Sequence, residues 1–402
     1  MSNPFQSIRD VWSREGSLST VLKLVRYVLP APYERLVPLV LDELTEPAPP
    51  VTHAERMRLY RRGFRRRAEY LYDFEQHSHA EYLSDVARYV RAPYINELWA
   101  STLDNKLLCQ QLLESFDVDV PTAYGLLHEG TFHPLEAEAI PEITIDYNGG
   151  TDDTDGIDPS SASMDGPDWI TSWLEPGQRL VAKGVMGGAG KQVLLVERAG
   201  DTFLINEKPH SERELRSRIS SLRNYLVTGF VEQAPYASSL YPDSANTLRV
   251  LTMYDEAAES SFVAAATHRI GTDESRPLDN FSRGGLSVGV DRESGTLGRG
   301  IRYTPPDLPE EHPVHPDTGE TIDGVEVPGW ERIERNLLAV ANRLSFIPYL
   351  GWDIVVTAPG EFSVIEINNN SDAVIQMHGP LLTDARTRRF YERHGVVSAR
   401  RN

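Results

Sequence analysis

The stretch VIEINNN, residues 364–370, closes a run of β-branched residues with a glutamate and three asparagines. It belongs to GWDIVVTAPGEFSVIEINNN, in which two strand-like runs flank Ala-Pro-Gly-Glu, so a hairpin is the natural reading. With Pro359 and Gly360 as a two-residue loop, Ala358 pairs with Glu361, and counting back sets Asp353 opposite Glu366. Directly paired residues share a face, as do residues i and i+2, so Asp353, Glu366 and Asn368 are expected on one surface. Pro-Gly is not the favoured turn for such a loop, and a slip of one residue breaks the grouping. Two carboxylates beside an amide repel unless a cation lies between them. A few hard oxygen donors suit Mg2+, which keeps waters and completes its shell from phosphates. An exposed acidic patch is the alternative.

A nucleotide supplies phosphates, and RLVAKGVMGGAGKQVLLVER offers a place for them. Strand-like runs flank a glycine-rich loop, Gly184 to Gly190, whose backbone N–H groups can approach phosphate oxygens unobstructed. Lys183 ends the first run and is aimed at the same place. A Walker A loop is excluded, because Gln192 follows Lys191 and a strand, not a helix, comes next. Protein-kinase logic fails as well, since THRI is no catalytic loop and DNFSRGG no metal-binding triplet. DSANTLRVLTM sets Asn246 and Arg249 on or beside a strand, and DNFSRGG gathers Asp279, Asn280, Arg283, Gly284 and Gly285 in a tight loop. An arginine can neutralise phosphoryl charge and an asparagine beside glycines can cradle a second anion; a surface arginine and a plain β-turn are the bland alternatives.

The elements that must position these groups are less regular. Residues 17–90 read as mostly helical with proline breaks, and RMRLYRRGFRRR within them reads as a solvated helix face paired with Glu55 and Glu69, a polyanion site being the alternative. LDNKLLCQQLLESF reads as a helix with Asp104 at its N-cap, VDVPTAYGLL as a strand, and WERIERNLLAVANRL as an amphipathic helix. The acidic, Gly/Ser-rich residues 141–168 read as a disordered surface insertion without chemistry. At 402 residues and 40% hydrophobic content the chain suits two or three globular domains. Its single cysteine, Cys109, reads as a core residue and fits a reducing cytoplasm. A net charge of −19 argues against nucleic-acid binding. Five lysines against a large acid excess match a salt-accumulating, halophilic cytoplasm, with arginine-for-lysine bias as the alternative. No secretory signal or transmembrane segment is read, although residues 17–41 leave peripheral membrane contact open.

In this order the pieces DNKLLCQQLLESFDVDVPTAYG, VAKGVMGGAGKQV, YLVTGFVEQAPY, YPDSANTLRVLT, DNFSRGG and LGWDIVVTAPGEFSVIEINNN resemble the ATP-grasp superfamily. Within it they look most like the sugar-transfer-associated ATP-grasp group, over roughly residues 95–385. The resemblance implies an α+β fold, two subdomains gripping ATP, with an N-terminal helical extension. The implied division is an extension over 1–94, a pre-ATP-grasp region over 95–170, a small subdomain over 171–235, a large one over 236–385, and a tail over 386–402. It implies that Lys106 and Lys183 contact the α- and β-phosphates under a loop including Gly187, Gly188 and Gly190. Thr228, Val231 and Glu232 would lie on the adenine side, where many relatives carry a glutamate at the position of Gly229. Arg249 would touch the γ-phosphate, Asn280 the acceptor's activated carboxylate, and Asp353, Glu366 and Asn368 would hold Mg2+ or Mn2+. The implied activity is ligation of a small-molecule or glycan-linked carboxylate to an amine through an acyl phosphate. A kinase on the same scaffold and a non-catalytic nucleotide-binding module are the competing readings.

Overall fold

The computed structural model describes residues 31–47, 49–135, 163–187, 192–370 and 373–399. Residues 17–30 of the stretch left open for peripheral membrane contact, Gly188 and Gly190 of the glycine-rich loop, residues 141–162 of the acidic insertion and the last three residues lie outside them.

The described chain opens with α1 (Ala31–Thr45) and α2 (His53–Arg61). A capping box starts α2: Thr52 Oγ1 accepts from the Glu55 amide while Glu55 Oε2 accepts from the Thr52 amide. The helix stops at Arg61, and Gly63, at φ +80°, turns the chain back. The arginine-rich run is therefore not one solvated helix face. Arg58 pairs with Glu69 at 2.9 Å as expected, but Arg65 is 5% exposed and turns inward onto Glu43 and Glu46, with Asp85 accepting from its amide. The carboxylates at the end of α1 draw the second half of the run inside.

The next helix, α3 (Lys106–Glu114), is capped by Asn105, whose side chain accepts from the Leu108 amide; Asp104, the expected cap, ends the preceding helical turn instead. The break falls one residue later because the Lys106 amide donates to Val185 O, outside the helix. Cys109 is buried, 3% exposed, in the core under this helix.

The first sheet is built from β1 (Ala123–His128), β2 (Thr131–Pro134) and β3 (Met164–Asp165), then, after α4 (Gly166–Trp173), from β4 (Arg179–Gly184), β5 (Val193–Ala199), β6 (Thr202–Ile205) and β7 (Lys208–His210), and after α5 (Glu212–Ser220) from β8 (Arg223–Gly229). Its order is β3-β2-β1-β8-β4-β5-β6-β7, every neighbouring pair antiparallel. The end of the acidic insertion is thus structured: residues 164–165 pair with β2, and Asp165 caps α4 by accepting from the Asp168 amide. Trp169 and Ile170 of α4 and Leu215 and Ile219 of α5 cover one face, meeting Leu180 and Ala182 of β4. Alternation sends Val181 and Lys183 to the other face.

After α6 (Pro235–Leu240) the second sheet comprises β9 (Leu248–Asp255), β10 (Ser260–Ile270), β11 (Leu286–Val290), β12 (Leu297–Arg302), β13 (Glu310–His312) and, past α7 (Trp330–Arg343), β14 (Tyr349–Ala358) and β15 (Glu361–Asn368). The order is β13-β12-β11-β10-β9-β14-β15, again antiparallel throughout. Leu248 and Val250 face the core with Trp330, Ile333 and Leu337 of α7. Leu251 and Met253 face the opposite side, where Leu83, Ala87 and Ile95 of the N-terminal segment and Phe390 and Tyr391 of α8 (Ala385–Arg393) cover them.

Hydrogen bonds fix that cover. Asn96 Nδ2 donates to Tyr349 O at 2.6 Å and Asn369 Oδ1 at 2.9 Å, Gln376 Oε1 accepts from the Leu83 amide at 2.7 Å, and Arg91 donates to Val396 O at 3.1 Å. Of the described residues between 95 and 170, β1 to β3 belong to the first sheet, while α3 packs beside β15 of the second. No helix of the described residues is long and apolar enough to cross a membrane.

Candidate functional site

On the second sheet the site grows from the β14–β15 hairpin. Ala358 pairs with Glu361 across Pro359-Gly360, but a bulge at Thr357 shifts the register over Val356–Ile354 against Phe362–Val364. A second bulge at Ile365 shifts it back, so that Asp353 does stand opposite Glu366 and Gly351 opposite Asn368. Two compensating irregularities produce the pairing that an ideal hairpin would give. β9 lies on the other side of β14, with Arg249 opposite Asp353. Same-face pairing makes the contact direct. Arg249 donates through Nε to Asp353 Oδ1 and through Nη2 to Oδ2 at 2.7 Å; Asn368 Nδ2 donates to Oδ2 at 3.2 Å, and Arg269 Nη2 is 3.4 Å away. Burial alone would push the Asp353 carboxyl up; the Arg249 and Arg269 guanidinium groups and these hydrogen bonds outweigh it and hold it below the ordinary carboxylate range.

Next to this group, Thr247 donates to Asp279 from its amide at 3.0 Å and from its hydroxyl, and Arg269 Nε is 3.4 Å from the same carboxylate. Burial pushes Asp279 up against the pull of Arg269 and Thr247. Asn280 caps a single turn over Phe281–Arg283 by accepting from the Ser282 amide at 3.0 Å. Gly285 lets this loop close: a Cβ there would fall 2.8 Å from Asp279 O. Asn246, in contrast, is a structural knot. Its side chain donates to Ala237 O and Tyr241 O and accepts from the Gly271 amide, away from the site.

The first sheet reaches across from the opposite side. Val181 pairs with Thr228 and Lys183 with Leu226, so the three residues Val181, Lys183 and Thr228 share the face turned to the cleft. Lys183 Nζ donates to the carbonyl of the bulged Ile365 at 3.2 Å. Lys106, at the start of α3, donates to Glu366 Oε1 at 2.6 Å and to Gly187 O at 3.0 Å. These contacts close a cavity of about 550 Å3 between the sheets, lined by Lys106, Lys183, Gly187, Thr228, Val231, Arg249, Asn280, Asp353, Glu366 and Asn368 among others. Glu232 is not among them. It is exposed and paired with Arg179, whose guanidinium stacks 3.8 Å over Phe230. Arg269, Thr247, Asn370 and the N-terminal Arg67 and Arg88 also line the cavity; Thr247, Asn370, Arg67 and Arg269 lie inside motif stretches without having been singled out for the site, and Arg88 lies in none. Alternation along β10 would have found Arg269, two residues from Thr267, which pairs with Arg249.

No group of three or more His, Cys, Asp or Glu side chains gathers for a metal among the described residues. The donor set is instead two carboxylates with neighbouring amides, and Asn370 Oδ1 is buried with no hydrogen-bond partner among the described residues. Such a set fits a hard cation that takes its remaining ligands from phosphate and water.

The model of a family described as sugar-transfer associated ATP-grasp matches residues 86–388. No curated protein matches the chain. Among solved structures it is similar to the ADP complex of purK, an N5-carboxyaminoimidazole ribonucleotide synthetase, at 10% identity over 68% of this chain and 47% of that one, TM-score 0.35. It is similar to the ATP-grasp ligase PsnB complexed with minimal precursor, at 13% identity over 75% of this chain and 64% of that one, TM-score 0.36. It is also similar to an L-amino acid ligase from Bacillus licheniformis, at 11% identity over 69% and 43%, TM-score 0.33. The chain thus spans about half the length of the first of these, 47%.

Proposed function

Because this chain belongs to the sugar-transfer-associated ATP-grasp family, we propose that it is an ATP- and Mg2+-dependent ligase joining a carboxylate to an amine. One observation carries the reading. Lys183 from the first sheet and Lys106 from the start of α3 converge on the strand end at Ile365–Glu366, beside Asp353, Asn368 and Arg249, in one cavity.

In this reading Lys106 and Lys183 bind the triphosphate, with the loop from Gly187 through Gly188 and Gly190 over it, and Thr228 and Val231 flank the adenine with backbone groups. Arg249 meets the γ-phosphate and Asn280 the acceptor. Asp353, Glu366, Asn368 and Asn370 hold the cation, which when bound neutralises phosphate charge. The cations now on Glu366 and Asp353 are the ones the phosphates need, so binding exchanges one set of ion pairs for another. A carboxylate oxygen of the substrate bonds to the γ-phosphorus as the bond to ADP breaks. The amine then bonds to the carbonyl carbon as phosphate leaves, and its proton passes to solvent. Such chemistry needs positioning and charge neutralisation, not a protein nucleophile. We place the protein in a salt-rich cytoplasm on its composition.

The test is ADP release in molar KCl with paired pools of amino acids and carboxylated sugars, run with and without hydroxylamine. Carboxylate-dependent ADP release with a trapped hydroxamate is expected. A stable phosphorylated alcohol as product would overturn ligation in favour of a kinase, and absence of nucleotide binding would overturn both.

A further inference from the structure

The cavity continues past the cation-binding groups. Phe281, next to Asn280, packs into an aromatic cluster with Leu71, Tyr72 and Tyr82 of the N-terminal segment and with Tyr303. Through that contact the segment becomes a wall of the cavity, contributing Glu46, Arg67, Leu71, Arg88 and Tyr89. The first three precede residue 86, where the family match begins.

The wall is rigidly built. Arg67 Nη2 donates to Tyr89 Oη at 3.0 Å and is placed by Glu46 at 3.5 Å and Asp85 at 3.6 Å. The guanidinium of Arg88, a residue 4% exposed, stacks 3.9 Å over the Tyr89 ring. Tyr303 lines the same cavity, and its hydroxyl is buried with no hydrogen-bond partner among the described residues. Two guanidinium groups beside one aromatic ring can offer an oxyanion charge-assisted hydrogen bonds in exchange for contacts such as that of Arg67 with Glu46. The Phe281 ring and the Tyr89 face away from Arg88 suit a ring, and Asn280 and Ser282, joined to each other at 2.9 Å, line the same cavity with an amide and a hydroxyl.

Resting on the reading of the cleft as an ATP-dependent ligase site, we propose that this wall selects the substrate of the acceptor half: a hydroxylated ring bearing a carboxylate or phosphate, an acidic sugar in chemical class, held by Arg67 and Arg88. The extension is then part of the binding site, not an appendage to it.

Calorimetric titration tests this on the full chain, with glucuronate, glucose 1-phosphate and glucose as probes, each with and without Mg2+ and a non-hydrolysable ATP analogue. One of the two acids is expected to bind roughly tenfold or more tighter than glucose, and which one does identifies the anion as carboxylate or phosphate. Arg67→Gln should erase that preference, and Tyr89→Phe, which removes only the hydroxyl that orients Arg67, should weaken it while leaving the fold and the nucleotide affinity intact. Equal binding of glucose and both acids, or an acid preference unchanged in both variants, would overturn the proposal. Failure of the nucleotide to bind would strike the ligase reading alone, because the acid titrations without nucleotide test the wall independently.

Discussion

Lys183 holds its ammonium in a buried position, 3.2 Å from the Ile365 carbonyl. Burial pushes its pKa down to about 8, with Glu366 acting the other way. The folded value lies below the unfolded one, so the unfolded chain binds the extra proton between pH 8 and the ordinary lysine range. Stability of the nucleotide-free protein therefore rises with pH across that window. A bound triphosphate reverses the preference by favouring the ammonium. Nucleotide binding near pH 8.5 should then take up part of a proton, up to about one. Titration calorimetry in two buffers of different ionisation enthalpy reads the uptake directly. Lys183→Arg should abolish it, since a guanidinium never titrates in this range, and should weaken binding because its planar fork does not fit an ammonium's place. Identical proton uptake in parent and variant would remove Lys183 from the phosphates.

The β14–β15 hairpin is braced by backbone against backbone. Gly329, at φ +73° before α7, approaches the Pro359-Gly360 turn so closely that a Cβ would fall 2.4 Å from Gly360 N, and Gly360 N donates to Pro328 O at 2.9 Å. Gly324 has a similar φ, +88°, with nothing near its missing Cβ. Gly324→Ala should cost only the left-handed strain, about 1–2 kcal/mol, and Gly329→Ala about 3 kcal/mol or more, because the turn must move. Urea midpoints at unchanged m-value separate the two; equal losses would mean the turn yields freely. The hairpin was legible from its two strand-like runs, and counting from the turn put Asp353 opposite Glu366 because two bulges cancel. The bulges at Thr357 and Ile365 were not legible, since the groups bonded beside or at them are remote in sequence: the Ala234 amide on Val356 O and Lys183 on Ile365 O. Arg65 and Arg67 were misjudged for a related reason: their partners Glu43, Glu46 and Asp85 lie on other turns of the chain, beyond the reach of helical spacing. Glu232 matched its motif, yet Arg179 claims it at the surface.

At the scale of the molecule, a net charge of −19 makes self-repulsion the general term opposing compaction. The described arginines already pair widely with carboxylates, so what remains is long-range and screenable. Raising KCl from about 0.01 M to 1 M shortens the Debye length from about 30 Å to 3 Å, and the melting temperature should rise by several degrees over that interval. Sucrose at matched osmolality should reproduce little of the rise if screening is the cause. A melting temperature flat in KCl would mean that the acid excess is balanced locally.

The N-terminal cover is joined to partners made very late. Asn96 bonds to residues 253 and 273 positions ahead, Leu83 to one 293 ahead, and Arg91 to one 305 ahead. At about 5–20 residues per second, a ribosome takes on the order of 15 s to a minute to supply those partners. Until the second sheet is made, Leu83, Ala87 and Ile95 have no sheet to lie against. A segment made well before its partners is thus sheltered late, a natural client for a holding chaperone during synthesis.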